Sequence, residues 1–173
     1  MTTNLPEIPR PSQLWKQLSA DRKLQAAEAF WQDENAPMEQ AEVIATIAQR
    51  IKFRPKSVVT MPREKKARHL VALGGVSELV AARLLVAYHL AQQRPMMGAF
   101  LDALGIRHED GLIADEGTEP PSPERLREAA ATLAKAYPSE DVSLYLSTLI
   151  WQDPDTWGGL TDAPETRGSG QVA

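Results

Sequence analysis

Apolar residues recur along most of the chain at the three-to-four-residue spacing of amphipathic helices. The spacing is clearest after Met38, after Met96, after Leu126 and after Val142, and proline or serine precedes each of these stretches. No stretch alternates in the manner of a strand, because the β-branched pair Val58-Val59 is short and lies between two prolines. The pattern predicts an all-α protein of about seven to eight helices.

The most apolar of the predicted helices covers residues 77–93. Ser77 is a suitable N-cap, and Gln92, Gln93 and Arg94 end the apolar stretch. Its middle is apolar on almost every side, and such a helix is one around which the rest of a domain packs. We therefore expect a compact single-domain helical bundle around this central helix.

The two ends of the chain lack helical periodicity. Residues 1–11 contain three prolines and read as an extended leader, whereas residues 161–173 are rich in glycine, proline and polar side chains. This composition predicts a disordered C-terminal tail. The all-α domain is accordingly predicted to span residues 12–160.

Composition places the chain among ordinary folded proteins. It has 173 residues, of which 43% are hydrophobic and 24% charged. The absence of cysteine excludes disulfides, thiolate nucleophiles and cysteine-bound metals. The first residues lack the apolar core of a signal peptide, and Arg83 and His89 interrupt the longest apolar run. We expect a cytoplasmic protein with no membrane partner.

Positive charge is concentrated between Arg50 and His69. This segment holds eight cations and a single anion, although the whole chain has a net charge of -4. Such asymmetry predicts binding of an anionic partner, or ion pairs within the chain. A third interpretation is a solvated face whose cations only maintain solubility. The candidate partner-binding cations are Arg54, Lys56, Arg63, Lys65, Lys66 and Arg68.

The glycine pair that precedes the central helix has a recognisable context. Leu73-Gly74-Gly75-Val76-Ser77, followed by Ala81 and Leu84, resembles the helix-hairpin-helix motif, with Ser77 where that motif usually has its second glycine. The resemblance implies sequence-independent contact with a nucleic-acid backbone through Gly74, Gly75 and Ser77. The alternative is a Gly-Gly turn between two packed helices.

Two tryptophans lie in WQDPDTWGGL, at the end of the last predicted helix. Trp151 and Trp157 are expected to fold back onto the bundle and bury a large apolar area. The alternative is an exposed docking element, because tryptophan is a common anchor residue in protein interfaces.

Enzyme signatures are absent from the sequence. There is no nucleophile elbow, phosphate-binding loop, dinucleotide-binding fingerprint or zinc-protease motif. His69, His89 and His108 are too far apart for a metal-ligand pattern. We therefore predict no catalytic residue, no metal and no cofactor. An enzyme with a site assembled from scattered acids and histidines is the remaining alternative.

Together these features predict a non-enzymatic helical binding or regulatory module with a basic surface and an unknown protein as its partner. The second hypothesis is a nucleic-acid binder that uses the turn from Gly74 to Ser77.

Overall fold

The computed structural model describes residues 8–115 and 119–167. Within these residues the chain forms eleven α-helices, one 3-10 helix and a hairpin of two short strands. The all-α class is confirmed, and the number of helices exceeds the predicted seven or eight because several are only four or five residues long. Contacts group the chain into two compact units: an N-terminal unit of residues 10–92, and a C-terminal unit of residues 93–173 together with residues 1–9. The predicted domain limits, residues 12 and 160, stay a prediction.

The N-terminal unit consists of six helices. They are α1 (Pro11–Gln17), α2 (Ala20–Gln32), α3 (Pro37–Ile51), α4 (Pro55–Val59), α5 (Arg63–Ala72) and α6 (Glu78–Gln92). Helix α6 is the predicted central helix, one residue shorter at each end than expected. It packs against α1, α2 and α3, and α2 also packs against α5.

Helix α6 is buried because almost all its faces are apolar. The side chains that it buries are Val80, Ala81, Leu84, Leu85, Ala87, Tyr88 and His89. Its start follows the predicted N-cap, since the Ser77 hydroxyl accepts a hydrogen bond from the Val80 N–H at 3.3 Å. Burial of a helix on several sides requires neighbours on each of them, which the three surrounding helices supply.

The C-terminal unit contains the remaining elements. They are α7 (Arg94–Ala103), β1 (His108–Glu109), β2 (Leu112–Ile113), α8 (Pro123–Ala136), α9 (Ser139–Gln152), α10 (Pro154–Trp157), a 3-10 helix (Gly158–Leu160) and α11 (Pro164–Arg167). An aromatic cluster lies in its core. The Phe100 ring contacts Tyr145 edge-on at a centroid distance of 5.7 Å, and Trp157 at 6.0 Å.

The strands were not expected from the sequence. Asp110 and Gly111 form a two-residue turn, and both have positive φ, 51° and 88°. This conformation suits an Asp-Gly hairpin, and a side chain at Gly111 would lie 2.9 Å from Met97 Cβ. The His108 ring supports the turn, because its Nδ1 accepts from the Gly111 N–H at 3.1 Å and its Nε2 lies 2.7 Å from an Asp102 carboxylate oxygen.

Helices occur within both predicted ends of the chain. Helix α11 lies inside the tail predicted to be disordered, and it is held by burial of Ala163 and Thr166. The Thr166 hydroxyl also donates to the Leu160 carbonyl at 2.7 Å. The predicted disordered tail, residues 161–173, stays a prediction, and residues 168–173 lie outside the described residues. In the predicted leader, α1 already starts at Pro11, and residues 1–7 lie outside the description.

Trp157 and Trp151 should differ strongly in their contribution to stability. Trp157 is 4% exposed against Phe100, whereas Trp151 is 46% exposed. We expect Trp157→Ala to lower the free energy of unfolding by about 3–5 kcal/mol, and Trp151→Ala to lower it by about 1 kcal/mol. Urea unfolding of both variants measures the difference. Equal losses would contradict the assignment of Trp157 to the core.

Stability should also depend on pH through His89. Burial lowers the pKa of His89 from 6.5 to about 4, and an interaction with the Leu85 backbone opposes this change. Below about pH 6.5 the unfolded chain binds a proton that the folded chain excludes, so this contribution to stability is complete above pH 6.5 and declines as the pH falls towards 4. We expect a loss of about 2 kcal/mol between about pH 7 and pH 5.

Urea unfolding at the two pH values gives the loss, and His89→Met should reduce it. An NMR titration of the His89 ring provides the second readout, which does not require the variant to fold. A ring pKa near 6.5 would contradict the account.

Candidate binding surface

The basic segment covers the end of α3, the whole of α4 and most of α5. Helix α4 is short, and its Val58 is fully buried, which holds this turn of helix on the N-terminal unit. The cations of the segment lie on either side of this anchor. Sequence alone gives their number, and the structure shows which of them have partners within the chain.

Three of the eight cations have structural contacts. The Arg50 guanidinium donates to the carbonyl of Ala72 and so caps the end of α5. With the Gln32 side-chain amide oriented so that its oxygen points to Arg63, the Arg63 guanidinium donates to that oxygen at 2.8 Å. Arg50 thus connects α3 to α5, and Arg63, one of the predicted binding residues, connects α5 to α2.

The third, Lys66, is held by an aromatic ring. Its Nζ lies 4.8 Å from the ring centroid of Trp31, within the range of a cation–π interaction. It also lies 3.5 Å from the Val59 carbonyl oxygen. Lys66 therefore stabilises the packing of α5 on α2, and Lys66 and Arg63 are less suited to an external partner than the sequence suggests.

The other five cations of the segment are exposed. In the part of the chain that the structure describes, none of their side chains has a hydrogen bond or an ion pair. An exposed cation without a partner is available to attract and pair with an anion of another molecule. They are Lys52, Arg54, Lys56, Lys65 and Arg68.

Three of these five lie at the α3–α4 corner, which we define as residues 52–56. Lys52 ends α3 in the left-handed conformation, with φ 58° and ψ 38°. The N–H groups of Lys52 and Phe53 both donate to the Ala48 carbonyl, the latter at 3.0 Å. The bond from Phe53 is the one found in a Schellman motif, and the bond from Lys52 is the one found in the simpler left-handed helix end, with lysine where glycine is usual in both.

Phe53 is the prominent apolar residue of this corner. Its side chain is 53% exposed, and it lies between Lys52 and Arg54. Lys52 and Phe53 were not among the predicted binding residues. A left-handed helix end gives no signal in the sequence when neither glycine nor asparagine occupies it. The nearest available signal is Pro55, which predicts the end of α3 but not its geometry.

The turn that resembles the helix-hairpin-helix motif is well defined. Gly74 has φ 78°, a conformation that favours glycine, and Gly75 is covered by Lys16, whose Cε lies 3.4 Å from the position of a Gly75 Cβ. Lys16 is thus a cation beside the turn that the sequence did not indicate.

Two carboxylates flank the start of α6 at this turn. The Ser77 hydroxyl donates to a Glu42 carboxylate oxygen at 2.7 Å. The Glu78 carboxylate accepts from the hydroxyl and from the N–H of Ser12, the latter at 3.1 Å. Because negative charge already occupies the positive end of the helix dipole, a phosphate approaching Gly74, Gly75 and Ser77 meets repulsion as well as attraction.

The predicted tryptophan anchors belong to the C-terminal unit. Trp157 is buried in the aromatic cluster and packs internally, which is the first of the two predicted alternatives. Trp151 is exposed, and its indole N–H donates to the Pro9 carbonyl at 2.6 Å. Of the two, only Trp151 presents a surface to a partner.

Other kinds of site have little support in the structure. No group of three or more His, Asp or Glu residues within 8–115 and 119–167 is arranged to hold a metal ion. Over the same ranges, no helix is long and apolar enough to cross a membrane.

Comparison with known proteins gave no match to a family model, to a curated protein or to a solved structure.

Lys52 should limit stability, because a side chain with Cβ is disfavoured at its positive φ. We expect Lys52→Gly to raise the free energy of unfolding by about 1 kcal/mol. Lys52→Asn is the matched control, since it removes the charge but keeps a residue that tolerates this conformation, and its effect should be smaller. Chemical denaturation measures both. A destabilising Lys52→Gly would contradict the assigned helix end.

Proposed function

We propose that this chain is a non-enzymatic binding module for an acidic protein partner, and that the basic segment of the N-terminal unit is its binding surface. The observation that carries the proposal is the set of five exposed cations between Lys52 and Arg68 that lack intramolecular partners among the described residues. A cytoplasmic location is part of this proposal, and the absence of cysteine is compatible with a reducing compartment.

The arrangement of charge favours a partner over mere solubility. Lys65 and Arg68 are three residues apart on α5, so they lie on the same face of that helix. On the opposite face, Ala67 and Leu70 are buried. The outward face is thus the one that a partner can reach, and its two cations are available for carboxylates.

Exposed apolar side chains near the cations favour protein over nucleic acid. Phe53 and Val59 are 53% and 52% exposed in the same segment. Apolar contact area combined with charge is typical of protein interfaces. Single-stranded nucleic acids are instead bound by cations together with stacking aromatics, and Phe53 is the only aromatic residue of the segment.

Nucleic acid is the second candidate, and one observation favours it. Lys16 lies beside the Gly74-Gly75 turn, so a phosphate there would meet a cation as well as exposed backbone. The carboxylates of Glu42 and Glu78 at the same turn weigh against it. We therefore rank the acidic protein partner above nucleic acid.

Charge reversal tests the proposal. We expect the double variant Arg54→Glu, Lys56→Glu to bind a fluorescently labelled glutamate-rich peptide about tenfold more weakly than wild type at low salt. The matched control is Lys135→Glu, Arg167→Glu, which reverses two exposed cations of the C-terminal unit and changes the net charge equally. Fluorescence anisotropy gives both affinities, and circular dichroism confirms folding.

A labelled DNA duplex, measured over the same salt series, separates the two candidates. The proposal is contradicted if both double variants bind the acidic peptide as wild type does. It is also contradicted if the duplex alone binds, with the steep salt dependence of phosphate contacts, and loses affinity on Lys16→Glu.

A further inference from the structure

The α3–α4 corner exposes an aromatic side chain at a position where helices with this kind of end often bury an apolar side chain. In a Schellman motif the residue after the left-handed position commonly packs its apolar side chain against the last turn of the helix. Phe53 occupies that position and remains 53% exposed. Exposure of this side chain leaves apolar area available for another molecule, since its burial would be favourable.

The backbone that presents Phe53 is held on both sides. On one side, the N–H groups of Lys52 and Phe53 are bound to the Ala48 carbonyl. On the other, Pro55 begins α4, and Val58 is fully buried. Because this backbone is already ordered, a ligand that binds at Phe53 does not have to order it, which lowers the entropic cost of binding.

Three cations lie within three residues of Phe53 in the sequence. Lys52 and Arg54 are its direct neighbours, and Lys56 lies in the first turn of α4. In the described parts of the chain none of the three has an ion pair. An apolar side chain with three available cations fits a ligand that combines an apolar side chain with carboxylates.

We propose that the α3–α4 corner is a docking site for an acidic peptide segment that places an apolar side chain on Phe53 and its carboxylates near Lys52, Arg54 and Lys56. This inference rests on the proposed function and names the partner's chemistry. Phe53 supplies the apolar anchor, and the cations supply selectivity for acidic sequences.

The test uses two labelled synthetic peptides of equal charge, both rich in glutamate. One has a central leucine and tryptophan, and the other has serine at these two positions. We expect wild type to bind the apolar peptide more tightly than the serine peptide. Phe53→Ser should weaken binding of the apolar peptide about tenfold and leave the serine peptide unaffected.

Met38→Ser is the matched control, because Met38 is also an exposed apolar residue but lies outside the corner, in the first turn of α3. It should leave both affinities within about twofold of wild type. Phe53 and Met38 are surface residues, so both variants are expected to fold, and thermal unfolding of the full chain verifies this.

The outcomes separate the inference from the proposed function. If Phe53→Ser binds both peptides as wild type does, while Arg54→Glu, Lys56→Glu weakens both, the docking site is overturned and the basic surface stands. If the charge reversal also has no effect, both are overturned. If neither peptide binds but single-stranded RNA does, and Phe53→Ser weakens that binding, the ligand is a nucleic acid and the inference is wrong.

Discussion

Burial of α6 is the constraint on which the N-terminal unit depends. A helix that is apolar on most sides must be covered on those sides, and α1, α2 and α3 pack against it, although Leu79 in its first turn remains exposed. Helix α5 then packs on α2 and buries Ala67 and Leu70. The cations of α5 that do not contact α2 are thereby directed outward. The exposed basic surface is a consequence of this packing, which leaves the polar ends and faces of the peripheral helices in water.

Much of the fold could be predicted from hydrophobic spacing alone. The central helix is found within one residue of its predicted ends, because a long apolar stretch with a serine cap is a strong signal. Short elements are different. The hairpin at Asp110-Gly111 depends on two residues of positive φ, and α11 depends on burial of Ala163 and Thr166. Neither produces a periodic pattern, so tertiary packing, which the sequence does not display, decides both.

The candidate site was predictable as a region but not as a set of residues. A density of charge identifies the segment, whereas the partners that neutralise or hold individual cations come from distant positions. Trp31 holds Lys66, and the carbonyl of Ala72 holds Arg50. The most informative residue, Lys52, gains its importance from a left-handed helix end that lysine does not normally signal. This left-handed residue directly precedes the exposed Phe53.

The central claim is that the α3–α4 corner is the contact surface for an acidic, partly apolar peptide. A heteronuclear NMR titration of the isotope-labelled full chain with such a peptide tests it most directly, because every backbone amide reports its own surroundings. The account predicts that the largest shift changes fall on residues 52–56, with smaller ones at Lys65 and Arg68. Changes centred on Gly74 to Ser77, or around Trp151, would contradict it.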